Sequence, residues 1–353
     1  MPTSPTAFAS RVTWHKPLLV LAGGMGVLAV VAAIGYFADP RRITGVPLWD
    51  KPLLFAISIG IYALTLSWLL GLLKRWRRAA WLIGTVVSVG LLIEMVIIVG
   101  AALADTTSHF NVSTPFAAAM WAVMAVSIVV VWSLGIPVAV MLFRTDLGDG
   151  ARSLAIRSGV IVAFIGMGLA FLMTGPQPSQ LSDYRGIVGA HAVGLADGGP
   201  GLPLVGWSTV GGDLRIPHFV GIHALQLIPL AALLLELAAR RIPALRSADA
   251  RRGVIWIIVA LYAAMLGVLT GQALAGQSIV HPTITVASVT GALFVGAAVS
   301  AAIVIAAANR SSTNRLVTRD AYDGSLSLAH APRAAFARRA AARRSPGRSA
   351  AKE

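Results

Sequence analysis

The sequence predicts an all-α membrane protein, a bundle of about eight transmembrane helices with both termini in the cytoplasm. Three observations carry that expectation. Eight apolar runs, at about 17–37, 52–73, 79–104, 115–143, 156–174, 217–238, 253–274 and 283–307, each meet the ~20 residues needed to cross a hydrocarbon core of ~30 Å. The connections alternate in charge, so that 24 of the 29 Lys and Arg residues fall on one side. The chain is 57% hydrophobic and 12% charged, with a mean hydropathy of +0.78, whereas soluble domains carry ~25% charged residues.

Taken in order, Arg11 and Lys16 precede the first run. That run exceeds a signal-peptide core of ~7–15 residues and no A-x-A site follows it before Asp39-Pro40, so it is read as a span. The second span opens at Asp50-Lys51 and is followed by Lys74, Arg75, Arg77 and Arg78. Arg144, Arg152 and Arg157 follow the fourth span, five Arg from Arg240 to Arg252 follow the sixth, and ten more Lys and Arg lie in 310–353. The opposite connections hold only Arg41, Arg42, Lys51, Arg185 and Arg215. Because Lys and Arg are retained in the cytoplasm during insertion, an even number of spans places both ends there.

Two segments stand apart from the bundle. Residues 175–216 carry ten glycines; a connection of that length is expected to be a lid or plug over the outer mouth, or a mobile loop. Its stretch from Val188 to Trp207 is apolar enough to dip toward the membrane, which is tolerated only where protein or water satisfies the backbone. The transmembrane domain is therefore 1–309, and 310–353 is expected to be a basic, disordered, solvated cytoplasmic tail, with contact to anionic inner-leaflet lipid through Arg338, Arg339, Arg343, Arg344 and Arg348 as the alternative.

The sequence also suggests a parallel 4+4 internal repeat. Gly60-Ile61-Tyr62-Ala63-Leu64 recurs as Gly221-Ile222-His223-Ala224-Leu225, Trp81-Leu82-Ile83 resembles Trp256-Ile257-Ile258, and the fourth and eighth spans open near Pro115 and Pro282. In such repeats the interface is the first place to seek a site.

Composition also narrows the function. The net charge of +15 is spread over short loops and a tail, which makes it a topology signal and not a nucleic-acid surface. Without cysteine the chain has no disulfide, iron–sulfur cluster or covalently attached haem. There is no P-loop, G-x-G-x-x-G, H-E-x-x-H or G-x-S-x-G, so nothing in the chain carries a catalytic signature.

Polar groups inside the spans are the functional pointers, because lipid penalises them unless they face a cavity or partner. Glu94 lies about 15 Å below the outer end of the third span, near the midplane. His218, His223 and Gln226 share one arc of the sixth span; Gln272, Gln277 and His281 close the seventh, and His109 with Asn111 joins the third to the fourth. Glu94, His109, His218, His223, Gln226, Gln272 and His281 are thus the candidates for an outward pocket built by the third, sixth, seventh and eighth spans. Neutral imidazoles there suit proton shuttling with Glu94, hydrogen bonding to a quinone or polar solute, or binding of haem or a divalent metal, with His218, His223 and His281 as metal candidates. Glu236, at the inner end of the sixth span, is expected to pair with Arg240 four residues on. Gly23, Gly24 and Gly26, and Gly267 with Gly271, are expected to bring helices close.

The segments Ser108-His109-Phe110-Asn111 to Thr114-Pro115-Phe116, and Arg215-Ile216-Pro217-His218-Phe219 to His223-Ala224-Leu225-Gln226, resemble stretches of bacterial multi-pass membrane proteins of no established activity. The resemblance implies membrane placement and nothing about chemistry. With 25 Arg to 4 Lys, a high-GC bacterial origin and the plasma membrane are the expected setting. Solute or ion transport, proton-coupled through Glu94, is the leading expectation; a haem-, metal- or quinone-binding redox protein and an accessory subunit are the alternatives. Reporter fusions test the frame: the C-terminus and the 144–150 loop should report cytoplasm and 175–216 the outside, and a C-terminus outside would overturn every depth given above.

Overall fold

A computed structural model describes residues 13–330, with the backbone alone over 311–330. Eight long apolar helices of membrane-spanning length run through it: α1 Lys16–Ala38, α2 Asp50–Gly71, α3 Arg77–Leu103, α4 Pro115–Phe143, α5 Gly150–Gly168, α6 Arg215–Ala238, α7 Ala248–Leu274 and α8 Ile284–His330. The protein is thus a multi-pass integral membrane protein. Its loops divide between a basic end, with short connections, and a loop-rich end.

Caps explain most boundaries. Thr114, Asp149 and Ser247 accept from the amides of Ala117, Arg152 and Ala250 and so start α4, α5 and α7. The last two helices therefore begin up to six residues before the apolar runs expected at 156 and 253, because hydrophobicity marks the lipid and the cap marks the helix. His15 caps α1 through Nδ1, which accepts from Leu18 N, so Nε2 donates to Trp81 O of α3 at 2.9 Å. Its backbone exchanges bonds with Ser67 of α2, and the buried imidazole thereby staples three helices at the basic end. α3 ends in a Schellman turn with Asp105 at φ 55°, Thr106 N bonding Ala101 O and Asp105 N bonding Ala102 O. α8 runs past 307 into the segment expected as a tail, and its backbone is helical through His330, the last described residue. Residues 331–353, with most of the tail arginines, lie outside the described residues.

The first four spans adjoin as α1–α2, α2–α3, α1–α3 and α3–α4, and the last four as α5–α6, α6–α7, α5–α7 and α7–α8. The main core gathers Leu18, Leu69, Met95, Leu142 and Ile156 from α1 to α5; a second, around Ala155, Ala224, Ile228 and Ile255, joins α5, α6 and α7. In lipid these contacts are held by close packing and not by water exclusion. α8 packs chiefly on α7 and the turn at Pro243–Arg246, and no described residue of its span is buried.

The close crossings lie elsewhere than expected. A Cβ on Gly166 would fall on the Gly221 backbone and one on Gly221 on Gly166, so α5 and α6 meet backbone to backbone. Nothing lies within 4 Å of such a Cβ on Gly23, Gly24, Gly26, Gly267 or Gly271. The expectation of close approach at those five is corrected: glycine permits contact only where the crossing geometry brings a second helix to it. Glu236 likewise pairs with Arg152 of α5, at 2.5 Å and 3.1 Å, and not with Arg240, because the planar guanidinium reaches both carboxylate oxygens across the crossing.

At the loop-rich end, strands β1 Arg42–Ile43 and β2 Val46–Pro47 form a hairpin that turns through Thr44 and Gly45. Residues 174–214 fold into an ordered cap. Val188 N bonds Phe110 O, Val112 N bonds Gly186 O, Ala190 N bonds Met173 O and Leu214 N bonds His191 O, while Gln177 and Gln180 donate to Ala192 O and Gly189 O. Its anchor is Asp213, whose fully buried carboxylate accepts from Ser208 N and from the backbone and guanidinium of Arg215.

Gly166→Ala should therefore lower stability by about 1–3 kcal/mol through overpacking, whereas Gly23→Ala should stay within about 0.5 kcal/mol. Thermal unfolding in detergent checks both, and equal effects would contradict the α5–α6 crossing.

Candidate functional site

A cavity of about 1090 Å³ opens at the loop-rich end. Its walls are α2, from Asp50 to Ile61, and α6, from Arg215 to Leu227, with Ile98 and Ala102 of α3 and Tyr262 of α7; the hairpin, the α3–α4 segment and the cap form its roof. At 1.5 Å per residue those stretches are about 16–18 Å long, roughly half of a ~30 Å core. The volume exceeds the ~300–1,000 Å³ usual for small-molecule pockets. The expected walls, α3, α6, α7 and α8, are corrected: α2 replaces α8, which lies on the far side of α7 and contributes no lining residue.

Glu94 is 3% exposed and lies behind the cavity lining. Its Oε1 is 3.4 Å from His109 Nε2, and its Oε2, also buried, has no hydrogen-bond partner among the described residues. His109 reaches a carboxylate this deep because the segment after the Schellman turn folds back into the bundle, burying Ser108, Phe110 and Asn111. Asn111 holds that fold: its amide donates to Thr106 Oγ1 and Thr107 O, and its carbonyl accepts from Ser113. The imidazole lies between Phe55, Phe110 and Trp121, with Ser108 Oγ 3.0 Å from Nδ1. The imidazole thus has a polar group beside each ring nitrogen, Glu94 at Nε2 and Ser108 at Nδ1. His109 itself lines the cavity, so it stands between Glu94 and that space.

His223 and Gln226 also line the cavity. Gln226 Nε2 donates to Thr65 Oγ1 at 3.2 Å, Thr65 donates to Ile61 O, and His223 Nδ1 is 3.3 Å from Gln226 Oε1. This relay bridges α6 to α2. The remaining candidates lie elsewhere. His218 Nδ1 donates to Gly166 O at 2.8 Å, where α5 passes into a 3₁₀ turn at Leu169–Met173 and the change of bonding pattern leaves carbonyls short of partners. Gln272 donates to Ser278 O beneath the cap, and His281 is exposed at the α7–α8 turn. No group of three His, Cys, Asp or Glu suited to a metal occurs among the described residues.

Sequence reasoning missed the charges of the mouth. Asp50 and Lys51 line the cavity, and neither has a hydrogen bond or ion pair with a described residue; the Lys51 ammonium stands 5.9 Å from the Phe55 ring. His191 and Asp197 pair at 2.6 Å on the cap. Burial works against the Asp197 carboxylate, and the hydrogen bond and charge of His191 outweigh it, so its carboxyl stays below the ordinary value. The position of Asp50-Lys51 at a helix start was legible; that their helix forms a wall was not.

No family model, curated protein or solved structure matches the chain. The site is therefore read from its own geometry.

Burial, then the nearby Lys51 charge, holds His109 well below its ordinary value of 6.5. The folded protein keeps this imidazole neutral where the unfolded chain binds a proton, so its contribution is fully present above about pH 6.5 and is lost as pH falls toward the depressed folded value. His109→Gln should flatten that limb. Melting temperatures from pH 4.5 to 8 check this, and an unchanged profile would contradict it.

Proposed function

We propose that the protein is a bacterial plasma-membrane transporter that takes an organic solute into the outward-facing cavity and couples its passage to proton movement through Glu94 and His109. The observation that carries the reading is the pair itself: a buried carboxylate with one oxygen unpartnered, 3.4 Å from an imidazole that lines the cavity. An ionisable group so deep in a span is costly unless it serves a pathway, and this one has a titratable neighbour leading to the cavity. The outward direction follows from the cytoplasmic assignment of the basic loops. The shared neighbour pattern of the two halves supports an internal duplication, and the cavity between α2 and α6 then lies where repeat-built transporters hold their sites. No group of three metal-ligating side chains among the described residues supports the metal reading.

Right-side-out vesicles holding a pH gradient, acid outside and read by a trapped pH-sensitive dye, provide the test, because an added solute then meets the loop-rich face. Choline, glycine betaine, amino acids and lysophosphatidylethanolamine are added in turn. At least one should discharge the gradient with the wild-type protein, and Glu94→Gln should slow that discharge at least tenfold, about 1.4 kcal/mol in the barrier. Glu236→Gln, at the opposite end, should leave it unchanged. Discharge by Glu94→Gln at the wild-type rate, or by no solute at all, would contradict proton coupling.

A further inference from the structure

Two charged groups in the cavity have neither a hydrogen bond nor an ion pair with a described residue, and feel other charges only at longer range, Asp50 that of Arg215 and Lys51 those of Asp197 and Glu94. Asp50 is 7% exposed, yet no described residue gives it a hydrogen bond or ion pair, and Lys51 beside it has only the Phe55 ring. The remaining charged lining residues are satisfied: Asp197 by His191, Arg215 by Asp213 and Arg185 by Asp183. A carboxylate and an ammonium on successive residues, nine-tenths buried in the first case and both facing one cavity, match a ligand that carries both signs.

The wall supplies the second observation. Ile57 and Ile61 of α2 and Leu227 of α6 line the cavity and are 45%, 40% and 50% exposed. Leu64 continues the first stripe, and Leu230 and Leu234 the second, at helical spacing; these three are equally exposed but lie outside the cavity. On spanning helices such faces meet acyl chains. The apolar side of the cavity is therefore continuous with the lipid-facing surface, and the Gln226–Thr65 hydrogen bond ties α2 to α6 at its depth.

We propose that the cavity admits a zwitterionic amphiphile from the adjoining leaflet, its acidic group at Lys51, its ammonium at Asp50 and its chain along Ile57, Ile61 and Leu227. The proposal rests on reading this cavity as the transport site and names the substrate class. The head and the chain are separable claims, because a free zwitterion satisfies the first alone.

The test uses the full chain in amphipol and native mass spectrometry with three probes of one acyl length: lysophosphatidylethanolamine, lysophosphatidylglycerol and an uncharged monoacylglycerol. Soluble glycerophosphoethanolamine is the chain-free control. The zwitterionic lipid should be retained about tenfold better than the other two and the control. Asp50→Asn should raise retention of the anionic probe to that of the zwitterion, and Lys51→Gln should abolish the preference for either; tryptophan-fluorescence melts confirm that both fold. Equal retention of the three lipids, or a preference unchanged in both variants, overturns the proposal. Equal binding of glycerophosphoethanolamine overturns the lipid source. Lipid retention is read without a proton gradient, so its outcome stands apart from the proton-discharge result, and failure of one reading is not failure of the other.

Discussion

The contact between Glu94 and His109 is the constraint around which the loop-rich half is arranged. A carboxylate this deep is tolerated only if something polar reaches it, and nothing on its own helix does. His109 reaches it because the Schellman turn at Asp105 sends the chain back into the bundle. That inward segment is held from above by the cap, through Val112 to Gly186 and Phe110 to Val188, and the cap is anchored by Asp213 on Arg215 at the start of α6. α6 is positioned in turn by its glycine crossing with α5, where His218 donates to Gly166 O. Each link is local, and together they fix one imidazole.

The two ends are built on different principles. At the basic end, His15 joins α1, α2 and α3, while Arg152–Glu236 and Arg251–Asp149 join α5 to α6 and α7, so the helices converge on satisfied polar contacts. At the loop-rich end, α2 and α6 both line the cavity, and the Gln226–Thr65 hydrogen bond links them. The cavity is walled by α2 and α6 and roofed by the folded cap, and the transport proposal rests on that arrangement.

The eight spans were legible because bilayer thickness writes itself into run length, and Glu94 was legible because a charge interrupts such a run. Helical angles served less well. His218, His223 and Gln226 share an arc of the sixth span, but that arc is wide enough to face two neighbours, and α6 turns His218 to α5 and the other two to α2 and the cavity. His281 was grouped with them by depth alone and proves exposed, since α8 never closes on the bundle. Asp213 with Arg215, and Gly166 with Gly221, were invisible for another reason: an i,i+2 clamp and a pair of glycines 55 residues apart acquire meaning only when the cap and the crossing exist.

The central claim is that water and solute reach mid-membrane depth between α2 and α6 from the loop-rich end. The chain has no cysteine, so a single introduced thiol reports without background. Ser58 lines the cavity about 12 Å below Asp50, whereas Ser88 is buried in α3 against Gly84 O. A membrane-impermeant maleimide added to the loop-rich face of intact cells should modify Ser58→Cys and spare Ser88→Cys. Modification of neither, or of Ser58→Cys only from the opposite face, would contradict the account.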